Sequence, residues 1–150
     1  MNAHVYESTV KWSGSTGAGH AAYSRRHQVT AGRAGLAVSA DRAFLGDAAL
    51  PNPEQLLLAA ASSCQLLSFL AVAARAGVNV VGYRDDATAI MPSDARPVRI
   101  THIVLSPTVT VSQSDPETVV RLMREAHAGC FIAHSLTASL EMDITVEVTE

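Results

Sequence analysis

Aromatic and basic side chains are scarce in this sequence, and their scarcity argues against nucleic-acid binding. Only 5% of the 150 residues are aromatic, so few rings are available for bases to stack on. The 11 lysines and arginines are outnumbered by 14 acidic residues, are scattered along the chain, and leave a net charge of -3. Such a surface offers no basic field to a phosphate backbone. We therefore expect no nucleic-acid partner.

The sequence also lacks an uninterrupted transmembrane segment and a recognisable export signal. Its longest apolar stretch, residues 56–74, contains three serines and a glutamine, which are costly inside a bilayer. The first twelve residues lack a basic region followed by an apolar one. These features predict a cytoplasmic protein without a membrane partner, in which residues 56–74 form a buried helix.

The order of the hydrophobic patterns predicts one α+β domain over residues 1–150, a length typical of a single domain. Six strands are expected from alternating or apolar segments, at 6–12, 23–38 (a hairpin), 78–91, 98–111 and 140–148. Helices are expected from 53 to about 76 and from 116 to 128. The predicted layout is βββ-α-ββ-α-β.

Each predicted helix begins with a signal that has a physical cause. Asn52 is suited to cap the first helix and Pro53 to occupy its first turn. Ser114 and Glu117 have the spacing of a capping box at the start of the second helix. The first helix is apolar on nearly every face, so one small sheet cannot cover it. We therefore expect two chains to associate.

The chain has only two cysteines, Cys64 and Cys130, and they are too far apart in sequence for a CxxC motif. In a chain without an export signal, two such thiols favour reversible oxidation over a permanent disulfide. Cys64 lies in a run of small residues within the first helix, and Cys130 follows the glycine that ends the second. A disulfide that forms on oxidation is the functional interpretation, and two packed, unreactive thiols are the alternative.

A reactive Cys64 needs a nearby cation, because an ordinary cysteine has a pKa of roughly 8.5 and the helix dipole fades within about one turn. The candidate arginines all precede the first helix: Arg25, Arg26, Arg33 and Arg42. Glu54 is the acidic residue best placed to orient one of them. Ten residues separate Glu54 from Cys64, or about 15 Å along one helix, so a site shared between two subunits is expected.

Three segments combine with Cys64 into a specific pattern: Asn52-Pro53-Glu54-Gln55-Leu56-Leu57, Ala74-Arg75-Ala76-Gly77-Val78 and Ala126-His127-Ala128-Gly129-Cys130. Cys64 follows Glu54 by ten positions. With the order of its elements, this pattern resembles the OsmC/Ohr family of organic hydroperoxide reductases over nearly the whole chain. Such enzymes are antioxidant peroxidases of the oxidative stress response.

The resemblance implies an OsmC-like fold in which two sheets wrap central helices in an intertwined homodimer, with active sites at the subunit interface. It implies that Cys64 is the peroxidatic thiolate, which becomes a sulfenic acid, and that Cys130 is the resolving thiol. Glu54 would hold the arginine of the site, for which Arg25 is the first choice before Arg26 and Arg42. A small dithiol or lipoyl-type group would be the reductant, with no metal or cofactor.

The expected substrate is an organic hydroperoxide with a bulky apolar group. Apolar side chains near the thiols would shape its pocket, and Phe69 and Phe131 are expected to bind it. The chain composition and the family resemblance both favour such a substrate over hydrogen peroxide.

Three other interpretations stay open at this point. His127, Cys130 and His134 have spacings from which, with Cys64, a zinc site is conceivable. A cysteine hydrolase that uses Cys64 and His127 is a second alternative, although no family-specific signature surrounds the cysteine. The third is an OsmC-like protein without peroxidase activity that binds a small molecule between two subunits.

Overall fold

The computed structural model describes residues 2–150, which fall into two compact units that meet between Leu56 and Leu57. The first unit contains an antiparallel sheet of strands β1 (Ser8–Lys11), β2 (His27–Ala31) and β3 (Ala34–Val38), in that order. The predicted hairpin is confirmed. Gly32, at a φ of 60°, occupies its turn, a backbone conformation that glycine adopts without strain.

The N-terminal strand differs from its prediction. β1 is shorter than the expected 6–12, and all four of its residues are exposed instead of half-buried. Most residues of β2 and β3 are also exposed or half-buried, and Val38 is the buried exception. The alternation in this segment therefore identifies a strand correctly, but one face of that strand is not buried within the first unit.

Helix α1 (Pro53–Arg75) begins and ends almost where its signals predict. Its start is fixed by a reciprocal pair of hydrogen bonds: Gln55 N donates to Asn52 Oδ1 at 2.9 Å, and Asn52 N donates to Gln55 Oε1 at 3.0 Å. This arrangement satisfies backbone donors that a helix start leaves unpaired. After the helix, Gly77 turns the chain with a φ of 74°.

The second unit contains two mixed sheets, with strand orders β4-β7-β9 and β5-β6-β8. Their strands are β4 (Asn79–Asp85), β5 (Thr88–Ile90), β6 (His102–Leu105), β7 (Pro107–Ser112), β8 (Ser139–Met142) and β9 (Thr145–Thr149). In each sheet the first pair is antiparallel and the last pair is parallel.

Three strands that the sequence predicts as continuous are each broken into two. The breaks fall at residues 86–87, 106 and 143–144. The break at residue 106 is explained by Asp85. Its carboxylate accepts a hydrogen bond from Ser106 N at 2.7 Å and so replaces a backbone partner. The hydroxyl of Ser62 on α1 donates to the other oxygen of Asp85. Pro107 follows the break and begins β7, where its missing N–H is tolerated.

Helix α2 (Pro116–Ala128) has the predicted bounds but a different cap. Asp115 accepts hydrogen bonds from N and Oγ1 of Thr118, both at 2.9 Å. Ser114, the predicted cap, donates instead to the carbonyl of Ser112. Asp115 is a strong capping residue in its own right, and it lies directly before the helical proline. A further short helix, α3 (Phe131–His134), was not predicted.

α1 packs into the second unit along one narrow stripe. Its buried residues recur every four positions, at Ala61, Gln65, Phe69 and Ala73. On its other faces Leu67 and Leu70 are 64% and 38% exposed. Within the second unit this helix is therefore buried along one stripe and is not enclosed on most sides as predicted. α1 is long and apolar enough to cross a membrane, but core helices of soluble proteins pass the same test.

Candidate functional site

The two thiols, far apart in sequence, lie side by side in the second unit. α1 carries Cys64 on a half-buried face, and the turn between α2 and α3 carries Cys130, which is 1% exposed. Both are free thiols, and Cys130 Sγ donates a hydrogen bond to Cys64 Sγ at 2.9 Å. A disulfide requires about 2.05 Å between the sulfurs. A small approach of the two side chains is therefore enough to join them.

The surroundings of the two sulfurs give them opposite acidities. Burial raises the pKa of Cys64, but hydrogen bonds to its sulfur from the Cys130 thiol and the backbone N–H groups of Ile132 and Phe131 outweigh it, with help from Ser68. The pKa of Cys64 is therefore lowered. Burial raises the pKa of Cys130, as does the hydrogen bond that it makes to Cys64. Cys64 is thus the thiol that ionises first.

This difference predicts a pH-dependent order of alkylation. Because its pKa is lowered, Cys64 is a thiolate at pH values where an ordinary cysteine is still protonated. Iodoacetamide should therefore modify Cys64 first, with a rate that rises through a pH below the usual cysteine range. Cys130→Ala removes a donor and should shift this curve to higher pH. Peptide mapping at several pH values measures both rates.

The control for this experiment is Cys64→Ala, in which the remaining thiol of Cys130 should react slowly and only at high pH because it stays buried. Identical pH profiles for the two cysteines would contradict the proposed asymmetry.

Cys64 faces a groove of about 680 Å³, a size common for small-molecule sites. Its walls are mostly apolar and include Leu67, Val72, Phe131 and Ile132. Two charged residues also line it, Arg75 from the end of α1 and Glu125 from α2. Glu125 forms an ion pair with Arg121, which lies one turn earlier on the same helix, with 3.8 Å between Glu125 Oε2 and Arg121 Nη1. The groove thus presents an apolar surface beside the more acidic thiol.

The two phenylalanines predicted to bind substrate are placed differently. Phe131 is 82% exposed and lines the groove beside Cys64. Phe69 is fully buried and packs in the core, where its ring centroid is 6.2 Å from that of Tyr83. The helix geometry explains this, since five residues after Cys64 correspond to about 140° further round the helix axis. In this chain Phe69 is a core residue behind the site.

This placement predicts unequal effects on stability. Phe69→Ala should lower the free energy of unfolding by about 3–5 kcal/mol, because it leaves a cavity in the core. Phe131→Ala should change it by no more than about 0.5 kcal/mol, because the side chain is exposed. Urea denaturation at one fixed protein concentration measures both values. A larger loss for Phe131→Ala than for Phe69→Ala would contradict the packing described above.

The predicted acid and arginine lie in the first unit. Glu54 is half-buried in the first turn of α1, and within residues 2–150 no basic group lies within 4 Å of its carboxylate. The Arg25 guanidinium lies 4.1 Å above the ring of Tyr23 and donates hydrogen bonds to the carbonyls of Tyr23 and His20. The structure of one chain therefore does not pair Arg25 with Glu54. The other candidates, Arg26 and Arg42, are exposed.

The metal-binding alternative finds no donor cluster in the part of the chain that the structure describes. There, no three His, Cys, Asp or Glu side chains gather closely enough to hold an ion. His134 Nε2 is 2.7 Å from the carbonyl oxygen of Ala128. Nδ1 of His127 is buried without a hydrogen-bond partner, and burial lowers the pKa of this histidine. His127 therefore stays neutral near physiological pH.

Several groups at the site were not identified from the sequence. Ser68 lies one turn after Cys64 on the same face of α1, a spacing that was available as a signal. The N–H donors of Phe131 and Ile132 depend on the turn into α3, which has no clear pattern in the sequence. Arg75 reaches the groove because eleven residues after Cys64 make about three full turns.

Taken together, the fold and the site define an α+β protein with an asymmetric pair of thiols beside an apolar groove. The sequence model of the family described as OsmC-like protein matches residues 46–145. The chain therefore belongs to the OsmC-like family. The α+β, OsmC-like fold predicted from the sequence is confirmed.

Solved structures agree with this assignment. An OsmC-like protein of unknown function from Vibrio cholerae has 28% identity and a TM-score of 0.86, over 95% of this chain and 99% of that one. An organic hydroperoxide resistance protein from Elizabethkingia anophelis has 16% identity and a TM-score of 0.71, over 99% of both chains. The protein OhrB of Bacillus subtilis has 17% identity and a TM-score of 0.62, over 97% of this chain and 98% of that one. At the lower identities this likeness establishes the fold alone. No curated protein matches the chain.

Proposed function

We propose that this protein is a thiol-dependent peroxidase that reduces organic hydroperoxides to alcohols. The observation that carries the proposal is the asymmetric thiol pair, in which Cys130 donates to Cys64 at 2.9 Å and lowers its pKa. One thiol is thereby suited to attack and the other to resolve. Membership of a family whose structural relatives include organic hydroperoxide resistance proteins supports the same conclusion.

In the first step, the Cys64 thiolate attacks the terminal oxygen of the hydroperoxide. A sulfur–oxygen bond forms as the oxygen–oxygen bond breaks, and the electron pair of that bond leaves with the organic alkoxide. The alkoxide takes up a proton and departs as an alcohol. Cys64 is oxidised to a sulfenic acid, and the hydroperoxide is reduced by two electrons.

In the second step, Cys130 loses its proton and attacks the sulfur of the sulfenic acid. The Cys64–Cys130 disulfide forms, and the hydroxyl group leaves as water after taking up that proton. A small dithiol, such as a lipoyl-type group, then reduces the disulfide by thiol exchange and becomes a cyclic disulfide itself. The cycle needs no metal or other cofactor.

The complete site is shared between two subunits of a homodimer. No basic side chain is among the groups that lower the pKa of Cys64, and no basic group within residues 2–150 lies within 4 Å of the Glu54 carboxylate. In the dimer, Glu54 of one subunit orients Arg25 toward Cys64 of the other. The exposed apolar faces of α1, including Leu67 and Leu70, provide surface for this association.

The cellular role proposed is removal of organic hydroperoxides in the cytoplasm during oxidative stress. A cysteine pair that cycles between free thiols and a disulfide suits a reducing compartment. The apolar groove beside Cys64 suits an organic hydroperoxide better than hydrogen peroxide.

Steady-state turnover tests the proposal. The protein is mixed with dihydrolipoamide and cumene hydroperoxide, and the alcohol is quantified by chromatography. We expect many alcohol molecules per protein chain and much slower consumption of hydrogen peroxide. Alcohol formation no faster than in the protein-free mixture, with several dithiols, would reject the proposed function.

A further inference from the structure

A second pocket, of about 420 Å³, lies within the first unit. Its walls include Val10, Trp12, Tyr23, Arg25, His27 and Pro53. The pocket is within the size range of small-molecule sites and combines apolar walls with a few polar groups, as such sites do. Arg25, the arginine assigned to the peroxide under the proposed function, is one of these walls.

The indole of Trp12 is fixed in this pocket from several directions. Its Nε1–H donates to the carbonyl of Ser24 at 2.8 Å, and the ring of Tyr23 meets it edge to face at 6.1 Å between centroids. The backbone of Gly14 passes so close that a Cβ there would lie 2.8 Å from the indole. Trp12 nevertheless stays 43% exposed. It is therefore a rigid aromatic wall with free surface for a ligand.

The polar groups of the pocket are also held in place. The Arg25 guanidinium uses two of its N–H groups on backbone carbonyls, while a guanidinium has five to donate. Nδ1 of His27 is 2.8 Å from the carbonyl oxygen of Arg25, which orients the imidazole. The pocket thus offers fixed donors for an oxygen atom next to fixed aromatic surface.

We propose that this pocket binds the organic group of the hydroperoxide and selects aromatic hydroperoxides, with Trp12 and Tyr23 as specificity-determining residues. The inference rests on the proposed function, because Arg25 is there assigned to the peroxide oxygen. A hydroperoxide oriented by Arg25 places its organic group against the neighbouring rings. Ring-to-ring contact is favourable beyond the simple burial of apolar area. A hydroperoxide with a flat aryl group should therefore bind more tightly here than one with an alkyl group.

Binding of the product alcohol tests this without any thiol chemistry. Trp12 is the only tryptophan in the sequence, so its fluorescence reports directly on the pocket. Reduced protein is titrated with 2-phenyl-2-propanol, the alcohol formed from cumene hydroperoxide, and with tert-butanol, which has the same type of head group and no ring. We expect a saturable change in emission, and binding of the aromatic alcohol at least about tenfold tighter.

Variants assign the effect to the pocket. Tyr23→Ala should weaken binding of 2-phenyl-2-propanol about tenfold, and Trp12→Leu, followed by calorimetry, should do the same. Tyr6→Ala is the matched control, since Tyr6 is 87% exposed and does not line the pocket. In turnover, Tyr23→Ala should raise KM for cumene hydroperoxide by a larger factor than KM for tert-butyl hydroperoxide, because both substrates lose the ring that supports Arg25 but only the aromatic one loses a ring-to-ring contact.

Equal affinity for the two alcohols, absence of saturable binding, or unchanged binding in both Tyr23→Ala and Trp12→Leu would overturn the inference. Circular dichroism shows whether each variant folds, and two independent variants keep the test decisive if one does not. Repeating the titration with Cys64→Ser shows whether binding is independent of the attacking thiol. Selective binding by wild-type protein that shows no peroxidase turnover would support the pocket and reject the proposed function, whereas wild-type turnover without selective binding would do the reverse.

Discussion

Cys64→Ser should abolish hydroperoxide turnover, whereas Cys130→Ser should consume about one equivalent of hydroperoxide and then stall. A serine hydroxyl is not ionised near neutral pH and does not form a sulfenic acid, so the first variant loses the attacking group. The second keeps the attacking sulfur and also a hydroxyl donor beside it. It lacks only the thiol that forms the disulfide.

Rapid-quench measurement of alcohol formation separates the two variants. The Cys130→Ser protein should show a burst of about one alcohol per chain, followed by slow over-oxidation of Cys64 to sulfinic acid that mass spectrometry detects. Tyr6→Ala, at an exposed residue that does not line the groove or the Arg25 pocket, serves as a control for general damage to the protein. Sustained turnover by Cys64→Ser would refute the assignment of the attacking thiol.

Mixed dimers should reveal whether each site is built from two chains. Alone, Cys64→Ser and Glu54→Ala should each be nearly inactive, the first without a nucleophile and the second without the carboxylate that orients Arg25. When the two are unfolded together and refolded, each heterodimer should contain one complete site. That site combines Cys64 of one parent with Glu54 of the other, so activity should reappear.

The arginine is tested in the same format. Arg25→Ala alone should also be nearly inactive, and recovery of activity on mixing it with Cys64→Ser or with Glu54→Ala shows which subunit supplies the arginine, whereas Arg26→Ala and Arg42→Ala, both at exposed side chains, should be active alone. Heterodimers are verified by differently tagged chains. If verified heterodimers stay inactive, each subunit completes its own site and the shared arrangement is wrong.

The helices and the pairing of the thiols could both be predicted from the sequence, the helices from local rules and the pairing from the family pattern. Asn52 and Gln55 cap α1 with their own side chains, and the residues from Asp115 to Glu117 mark the start of α2. Cys64 and Cys130 stand out because they are the only thiols, and the family pattern implied that they meet. The helix starts depend on residues close together in sequence, which explains why they were predictable, whereas the meeting of two thiols that lie 66 residues apart was implied only by the family pattern.

The remaining features depend on contacts between distant residues. The break between β6 and β7 exists because Asp85 reaches Ser106, twenty-one residues away, and no local pattern signals it. Phe69 was expected at the substrate, but whether a residue of an apolar helix faces a core or a groove is decided by what packs against it. The lowered pKa of Cys64 depends partly on backbone donors in the turn after Cys130, which exist only once the chain is folded.

The most direct test of the two-thiol mechanism is an anaerobic titration of the fully reduced protein with cumene hydroperoxide. Free thiols are counted with Ellman's reagent, the alcohol is quantified, and disulfides are mapped by mass spectrometry. We predict that one equivalent of hydroperoxide per chain removes both thiols, yields one equivalent of alcohol and joins Cys64 to Cys130 within the same chain. Retention of both free thiols in the presence of excess hydroperoxide would contradict the account.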